Sequence, residues 1–179
     1  SEARNLVLKY VRIKQESLTE FVNTDLDAAL DAGKRIIGVR ARGTDYGVVR
    51  PHGHHIQPGA QDFIRKISEL PEYCPIYLVS EDKSIIESML TAYGRRVILS
   101  RQAIPDYHGG WMPNCRTKGY SRRQEGAGYL KAIYDLSRCP ILLAGRNNGT
   151  LAACLLSRGF DNFHLFELAA ILVIEGNLA

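Results

Sequence analysis

Two arginines one residue apart, Arg40 and Arg42, close the apolar run Arg35-Ile-Ile-Gly-Val-Arg-Ala-Arg42, and Gly43, Thr44 and Asp45 follow them. If the run is a strand, alternation sends both guanidiniums to one face, where planar forks suit phosphate oxygens. Gly43 allows close backbone approach to a ligand and Thr44 adds a hydroxyl. The competing use of both arginines is pairing with carboxylates across a sheet. A second polar group, Ser80-Glu81-Asp82, closes the run Tyr77-Leu-Val79. Its acids suit hydrogen bonds from a sugar or a base, or they favour a helix N-terminus, the reading preferred for Asp82. The third group, Gly145-Arg-Asn-Asn-Gly-Thr150, follows Pro140-Ile-Leu-Leu-Ala144. A strand, a glycine turn and a helix N-terminus make an anion site from backbone N–H groups. The alternative is a plain strand-to-helix turn, because the spacing is neither G-x-G-x-x-G nor a P-loop.

His52, His54 and His55 cluster in Arg50-Pro-His-Gly-His-His-Ile-Gln-Pro58 without a further Cys/His/Asp set at ligand spacing. Hydrogen bonding to a polar ligand or loop structure is therefore expected, and no metal. Tyr107-His-Gly-Gly-Trp111 offers rings for stacking. Between Tyr93 and Arg123 stand Arg95, Arg96, Arg101, Arg116, Lys118, Arg122 and Arg123, with Asp106 the only acid. This local excess reads as an anion-facing surface or a solvated face. Net charge is only +4, from 23 basic and 19 acidic residues. Without an RNA- or DNA-binding module, that charge disfavours nucleic acid as the partner.

These groups need a scaffold, and the chain alternates helix and strand. Ser17-x-x-Glu20 reads as a capping box, followed by one helix carrying Leu18, Phe21, Val22, Leu26, Ala29 and Leu30 and ended by Gly33. Strands are expected over 35–42, 75–79, 96–99, 140–144 and 163–166. Intervening helices are marked by Phe63, Ile67 and Leu70, with Pro58 at the first helical position; by Ile85, Ile86, Met89, Leu90 and Tyr93 after a Ser80 or Asp82 cap; by Tyr129, Leu130, Ile133, Tyr134 and Leu136; and by Leu151, Cys154 and Leu155. Ser100–Lys118 is a long loop, expected to be mobile and to act as a lid. Near-continuous apolar strands separated by helices predict an α/β fold, a doubly wound, mainly parallel Rossmann-like sheet. Ligands then bind beyond the carboxyl ends of the strands, where all three polar groups fall.

At 179 residues, 45% apolar and 23% charged, the chain reads as one continuous domain. Residues 1–33 form a segment with a lead-in helix and 34–179 the Rossmann-like part. The four cysteines, Cys74, Cys115, Cys139 and Cys154, form no C-x-x-C pair and are expected as free thiols in a reducing compartment. The apolar stretch Leu165–Ile174 contains Glu167 and is too short to span a membrane. The polar start at Ser1–Lys9 does not read as a secretory signal, and a chain opening on Ser1 reads as a shortened one.

Together the three groups resemble the fucosyltransferase superfamily: the alpha-1,6, alpha-1,2 and protein O-fucosyltransferases. Val39-Arg-Ala-Arg-Gly-Thr-Asp45 is similar to their first motif, a strand ending His-x-Arg-Arg-Thr/Gly-Asp. Arg42 falls on the arginine that contacts the donor pyrophosphate, Arg40 where many members have His, and Gly43 where many have a second Arg. Tyr77-Leu-Val-Ser-Glu-Asp82 is similar to the second motif. Leu136-Ser-Arg-Cys139, Ile141–Ala144 and Gly145–Thr150 are similar to the third. In that motif the helix often carries an acid facing the guanine, roughly at Ala132; the nearby acids here are Glu125 and Asp135. Bacterial members encoded with capsule or lipopolysaccharide genes are the nearest likeness, through Gly53–Pro58 and Gly145–Thr150.

The resemblance implies the donor half of a GT-B type glycosyltransferase that transfers fucose from GDP-fucose to a glycan acceptor hydroxyl, with inversion. It implies no cofactor or metal, GDP-fucose being the donor substrate. The implied catalytic residues are Arg42, Asp45 and Glu81. The donor-binding set is Arg40, Arg42, Gly43, Thr44, His54, Ser80, Asp82, Arg146, Asn147, Asn148, Gly149 and Thr150. Expected partners are a nucleotide sugar, a glycan acceptor and, if the chain is a fragment of a longer enzyme rather than a stand-alone relative, a missing N-terminal acceptor domain. The expected location is a bacterial cytoplasm, with membrane association only through partners. The alternative is a non-catalytic module that binds a nucleotide or sugar phosphate.

Overall fold

The structure, a computed structural model, describes residues 2–43, 55–70, 73–102, 117 and 119–167. Its elements in chain order are α1 (Glu2–Tyr10), α2 (Gln15–Thr19), α3 (Thr24–Asp31), β1 (Ile37–Ala41), α4 (Ala60–Ser68), β2 (Ile76–Ser80), α5 (Lys83–Tyr93), β3 (Val97–Leu99), α6 (Arg122–Arg138), β4 (Ile141–Gly145), α7 (Asn148–Leu156) and β5 (Asn162–Phe166).

The five strands form one parallel sheet in the order β3-β2-β1-β4-β5. The expected α/β, doubly wound Rossmann-like fold is therefore present. From β1 the chain winds outward through β2 to β3, then returns to the other side of β1 for β4 and β5. The winding reverses between β1 and β4, whose register pairs Val39 with Leu143 and Arg40 with Ala144. β1, β2 and β4 are buried along their whole length, while the edge strands β3 and β5 are partly exposed.

Alternation along the strands builds two cores. Ile37, Val39, Leu78, Ile141 and Leu143 face α4 and α5, where Phe63, Ile67, Ile85 and Met89 pack on them. Tyr77, Val79, Leu142 and Ala144 face the other side, closed by Leu26 and Ala29 of α3, Ile133 and Leu136 of α6, and Ala153 of α7. Each large apolar side chain buried this way contributes about 1.5–3 kcal/mol. The second core also encloses charge. Lys131 Nζ donates to both Asp135 carboxylate oxygens at 2.6 Å, and the Tyr77 hydroxyl donates to Asp135 Oδ2 at 3.3 Å. Arg138 joins Asp135 to Asp27 on α3, at 3.3 and 2.6 Å. The lead-in segment thus shares the sheet's core.

Four local expectations are corrected. The single helix over 18–30 is two, α2 and α3, and Ser17 lies inside α2 rather than capping it. Asn23 sets the break: its Oδ1 accepts from Leu26 N at 3.2 Å and its Nδ2 donates to Leu99 O at 2.8 Å, which caps α3 and ties it to β3. Gly33, at φ +68°, follows α3 as expected. Pro58 precedes the helix: Gly59 is the N-cap of α4, and its N–H donates to Asp62 Oδ2 at 3.0 Å. Leu90, Tyr129 and Leu151 lie on helical stripes yet are exposed, and the exposed Val22 lies between α2 and α3. Most of the Ser100–Lys118 loop lies outside the described residues. Of the cysteines, Cys74 is buried, Cys139 is a buried free thiol and Cys154 a half-buried one. Among the described residues no helix is long and apolar enough to cross a membrane.

Candidate functional site

β2, β1 and β4 are neighbours in that order, so their carboxyl ends bring Ser80–Asp82, Arg40–Gly43 and Gly145–Thr150 to one edge of the sheet. This is the switch point, the place where open α/β sheets bind ligands.

Arg40 belongs to the α6 face of β1 and is only 2% exposed. Its Nη1 donates to Glu81 Oε2 at 3.0 Å, to Ala41 O at 3.1 Å and to Val79 O at 3.3 Å. The Tyr129 ring lies 5.6 Å from the guanidinium carbon. Burial works against the cation, but Glu81 and Tyr129 outweigh it, so the Arg40 pKa is raised. Arg42 lies just past β1, with 24% of its side chain exposed and its Nε 3.7 Å from Glu81 Oε1. One carboxylate thus sits between two guanidiniums, and the competing reading of both arginines, pairing across the sheet, is realised. The two differ in consequence. Arg40 Nη1 is taken up by the protein and braces the crevice, whereas Arg42 reaches solvent at its mouth.

Asp82 caps α5. Its Oδ1 accepts from Ser84 N at 2.9 Å, Ile85 N at 3.3 Å and Ser84 Oγ at 2.6 Å. A Cβ on Gly43 would run into the Asp82 carboxylate, so the chain after β1 passes tightly over the start of α5. Ser80 is buried, and its Oγ accepts from Asp82 N at 3.1 Å. Gln102 Nε2 donates to Ser80 O at 2.9 Å, while its buried Oε1 has no hydrogen-bond partner among the described residues.

The turn from β4 to α7 builds itself from its own side chains. Thr150 Oγ1 donates to Gly145 O at 2.7 Å. Asn147 caps α7, its Oδ1 accepting from Thr150 N at 3.0 Å, and its Nδ2 donates to Gly145 O at 3.1 Å and Gln57 Oε1 at 3.2 Å. Gln57 in turn donates to Arg146 O at 3.0 Å. A Cβ on Gly145 would sit 2.5 Å from Gln57 Oε1 and 2.6 Å from Pro58 Cδ. A Cβ on Gly149 would sit 2.5 Å from the Tyr129 hydroxyl and 3.3 Å from Arg40 Nε. Glycine at both positions lets the turn close against its neighbours. The first-turn N–H groups of Asn148 and Gly149 have no intrahelical acceptor; Asn148 and the Arg146 side chain are exposed, while Gly149 is buried.

Comparison with protein-family models, with curated proteins and with solved structures finds no match for this chain.

Of the residues expected at the site, Arg40, Arg42, Gly43, Ser80, Glu81, Asp82, Arg146, Asn147, Asn148, Gly149 and Thr150 meet at this one edge. Thr44, Asp45 and His54 lie outside the described residues. The two acids near the base position of the motif are otherwise engaged: Asp135 is buried against Lys131, and Glu125 Oε1 accepts from Thr117 N at 2.8 Å. Sequence reasoning missed Gln57, Gln102 and Tyr129 as parts of the site. Gln57 stood inside the Gly53–Pro58 motif and was legible there. Tyr129 and Gln102 carry no local signal, because only the folded sheet brings them to β1 and β2. The assembled edge, a partly exposed guanidinium beside a buried carboxylate and a helix N-terminus, has groups of the kind that bind phosphate.

Proposed function

We propose that the switch-point crevice binds the diphosphate of a nucleotide sugar, and that the chain is the donor-binding part of a glycosyltransferase of the fucosyltransferase type, with GDP-fucose as donor. One observation carries this reading. Arg42, held by Glu81, stands at the carboxyl end of β1, and the N-terminus of α7 follows the neighbouring strand β4 across the point where the winding reverses. In this reading the two cationic features serve one anion, and the motif resemblance assigns the pyrophosphate to the same arginine.

In the transfer, an acceptor hydroxyl oxygen bonds to the anomeric carbon as the bond from that carbon to the diphosphate oxygen breaks, and the hydroxyl proton is lost to solvent water. Negative charge grows on the leaving diphosphate. Arg42 and the α7 N–H groups are placed to stabilise it without reorganising. Glu81 orients Arg42 in this scheme, and Arg40 holds Glu81. A non-catalytic nucleotide-binding module is the second reading. It is favoured by the Glu81 carboxylate, whose two oxygens both face arginines.

Calorimetric titration with GDP, GDP-fucose, UDP and ADP tests the binding claim. Saturable binding of a nucleoside diphosphate supports it, and no heat with any of the four overturns it. An assay for fucose transfer or GDP release then separates enzyme from module.

A further inference from the structure

A groove of about 830 Å³ opens at the opposite end of the sheet, where α3 meets β1 and where the chain enters β2 and β3. Its volume lies in the range of small-molecule sites. A five-residue strand separates it from the switch point by roughly 15 Å, so one small ligand does not occupy both.

The rim is cationic. Lys34, Arg35, Arg95 and Arg96 line it, and Asp25 is the only carboxylate among the described lining residues. The carboxyl ends of α3 and α5 also point here, each equivalent to about −0.5 charge. Among the described lining residues, Lys34, Arg95 and Arg96 outnumber the carboxylate.

One wall is a prebuilt stack. Arg96 donates from Nε and Nη2 to Cys74 O at 3.1 and 2.9 Å, which fixes its guanidinium plane. The Tyr73 ring lies 4.0 Å from that guanidinium and the Tyr93 ring 5.1 Å. Tyr73 is nevertheless 83% exposed, so its ring is held by the cation while most of its surface faces water. The floor includes the apolar Pro75 and Ile98.

We propose that this groove is a second binding site, for a small organic anion with a flat ring, the ring stacking on Tyr73 and the anionic group meeting Arg95, Arg96 and Lys34. An aromatic platform beside fixed cations requires both features in its ligand. The proposal is independent of the switch-point reading, and it gives a use to the Arg95–Arg96 part of the basic stretch.

Amide NMR titration with AMP, UMP and 4-nitrophenyl phosphate tests it, with adenosine and inorganic phosphate as half-ligands. Perturbations are expected at Gly33–Arg35, Tyr73–Cys74 and Arg95–Arg96, and weaker ones with either half-ligand. Tyr73→Ala weakens binding at least about fivefold through lost stacking. Arg95→Glu weakens it on the order of tenfold at low salt, with the difference shrinking at 1 M salt. Both side chains are exposed, so neither change threatens the fold. Arg42→Ala leaves these perturbations unchanged. Three results overturn the proposal: no response to any ringed anion, an equal response to phosphate alone, or loss of the response in Arg42→Ala.

Discussion

Arg40 Nη1 lies 3.0 Å from Glu81 Oε2, with both residues buried at the carboxyl ends of neighbouring strands. The pair locks β1 to β2 where the sheet meets its ligand edge, and Glu81 extends from it to Arg42. A buried pair is costly to break from one side, because the remaining charge loses its partner without regaining water.

Glu81→Ala is therefore expected to destabilise the fold by about 3–5 kcal/mol in urea unfolding. The double change Arg40→Met with Glu81→Leu removes both charges and is expected to lose less than the single one. A Glu81→Ala cost below about 1 kcal/mol, the value of an exposed pair, would contradict the bracing role.

Gly149→Ala places a methyl 2.5 Å from the Tyr129 hydroxyl. Overpacking of this kind costs about 1–3 kcal/mol. Tyr129→Phe removes the obstructing oxygen, so the double variant should recover part of the loss. A double-mutant cycle measures that coupling; strictly additive effects would show that the two positions do not meet.

The strands were legible in the sequence because buried parallel strands are continuous apolar runs, as in Ile141–Ala144. Their carboxyl ends were legible as the places where Arg40, Glu81 and Gly145 interrupt those runs. Strand order was not, since nothing local in the chain says that β1 lies between β2 and β4. The Arg40–Glu81–Arg42 arrangement depends on that order, and so does the approach of Tyr129 to Gly149. Lys131 and Asp135 illustrate a different limit. An i, i+4 pair reads as a solvated face, yet α6 turns it inward to the Tyr77 hydroxyl. Asn23 went unread as a cap because the apolar spacing runs unbroken across it.

His164 on β5 packs edge-on against Phe166 at 4.5 Å. Burial, and then nearby Lys66, lower its pKa from the ordinary 6.5, with Glu69 opposing. The unfolded chain then takes up the proton more readily than the folded one. This contribution to stability is complete above pH 6.5 and is lost as pH falls through the lowered folded value. Melting temperatures between pH 7.5 and 5 should fall less in His164→Gln than in the parent, and parallel curves would contradict the assignment.

Arg42→Ala is expected to weaken GDP binding by roughly 1.5–3 kcal/mol, the scale of a charge-assisted hydrogen bond. Arg42→Lys should restore only part of it, because an ammonium does not reproduce the planar fork. Calorimetry on both variants, alongside unfolding curves, distinguishes lost contact from lost fold. Equal GDP affinity in parent and Arg42→Ala would remove the arginine from the site.

The central claim is a diphosphate at the switch point, and a structure of the protein with GDP bound tests it most directly. The expected result is diphosphate oxygens within hydrogen-bonding distance of the Arg42 guanidinium and of the Asn148 or Gly149 backbone N–H. A nucleotide seated elsewhere, with Arg42 still directed at Glu81 and the α7 N-terminus untouched, would contradict it.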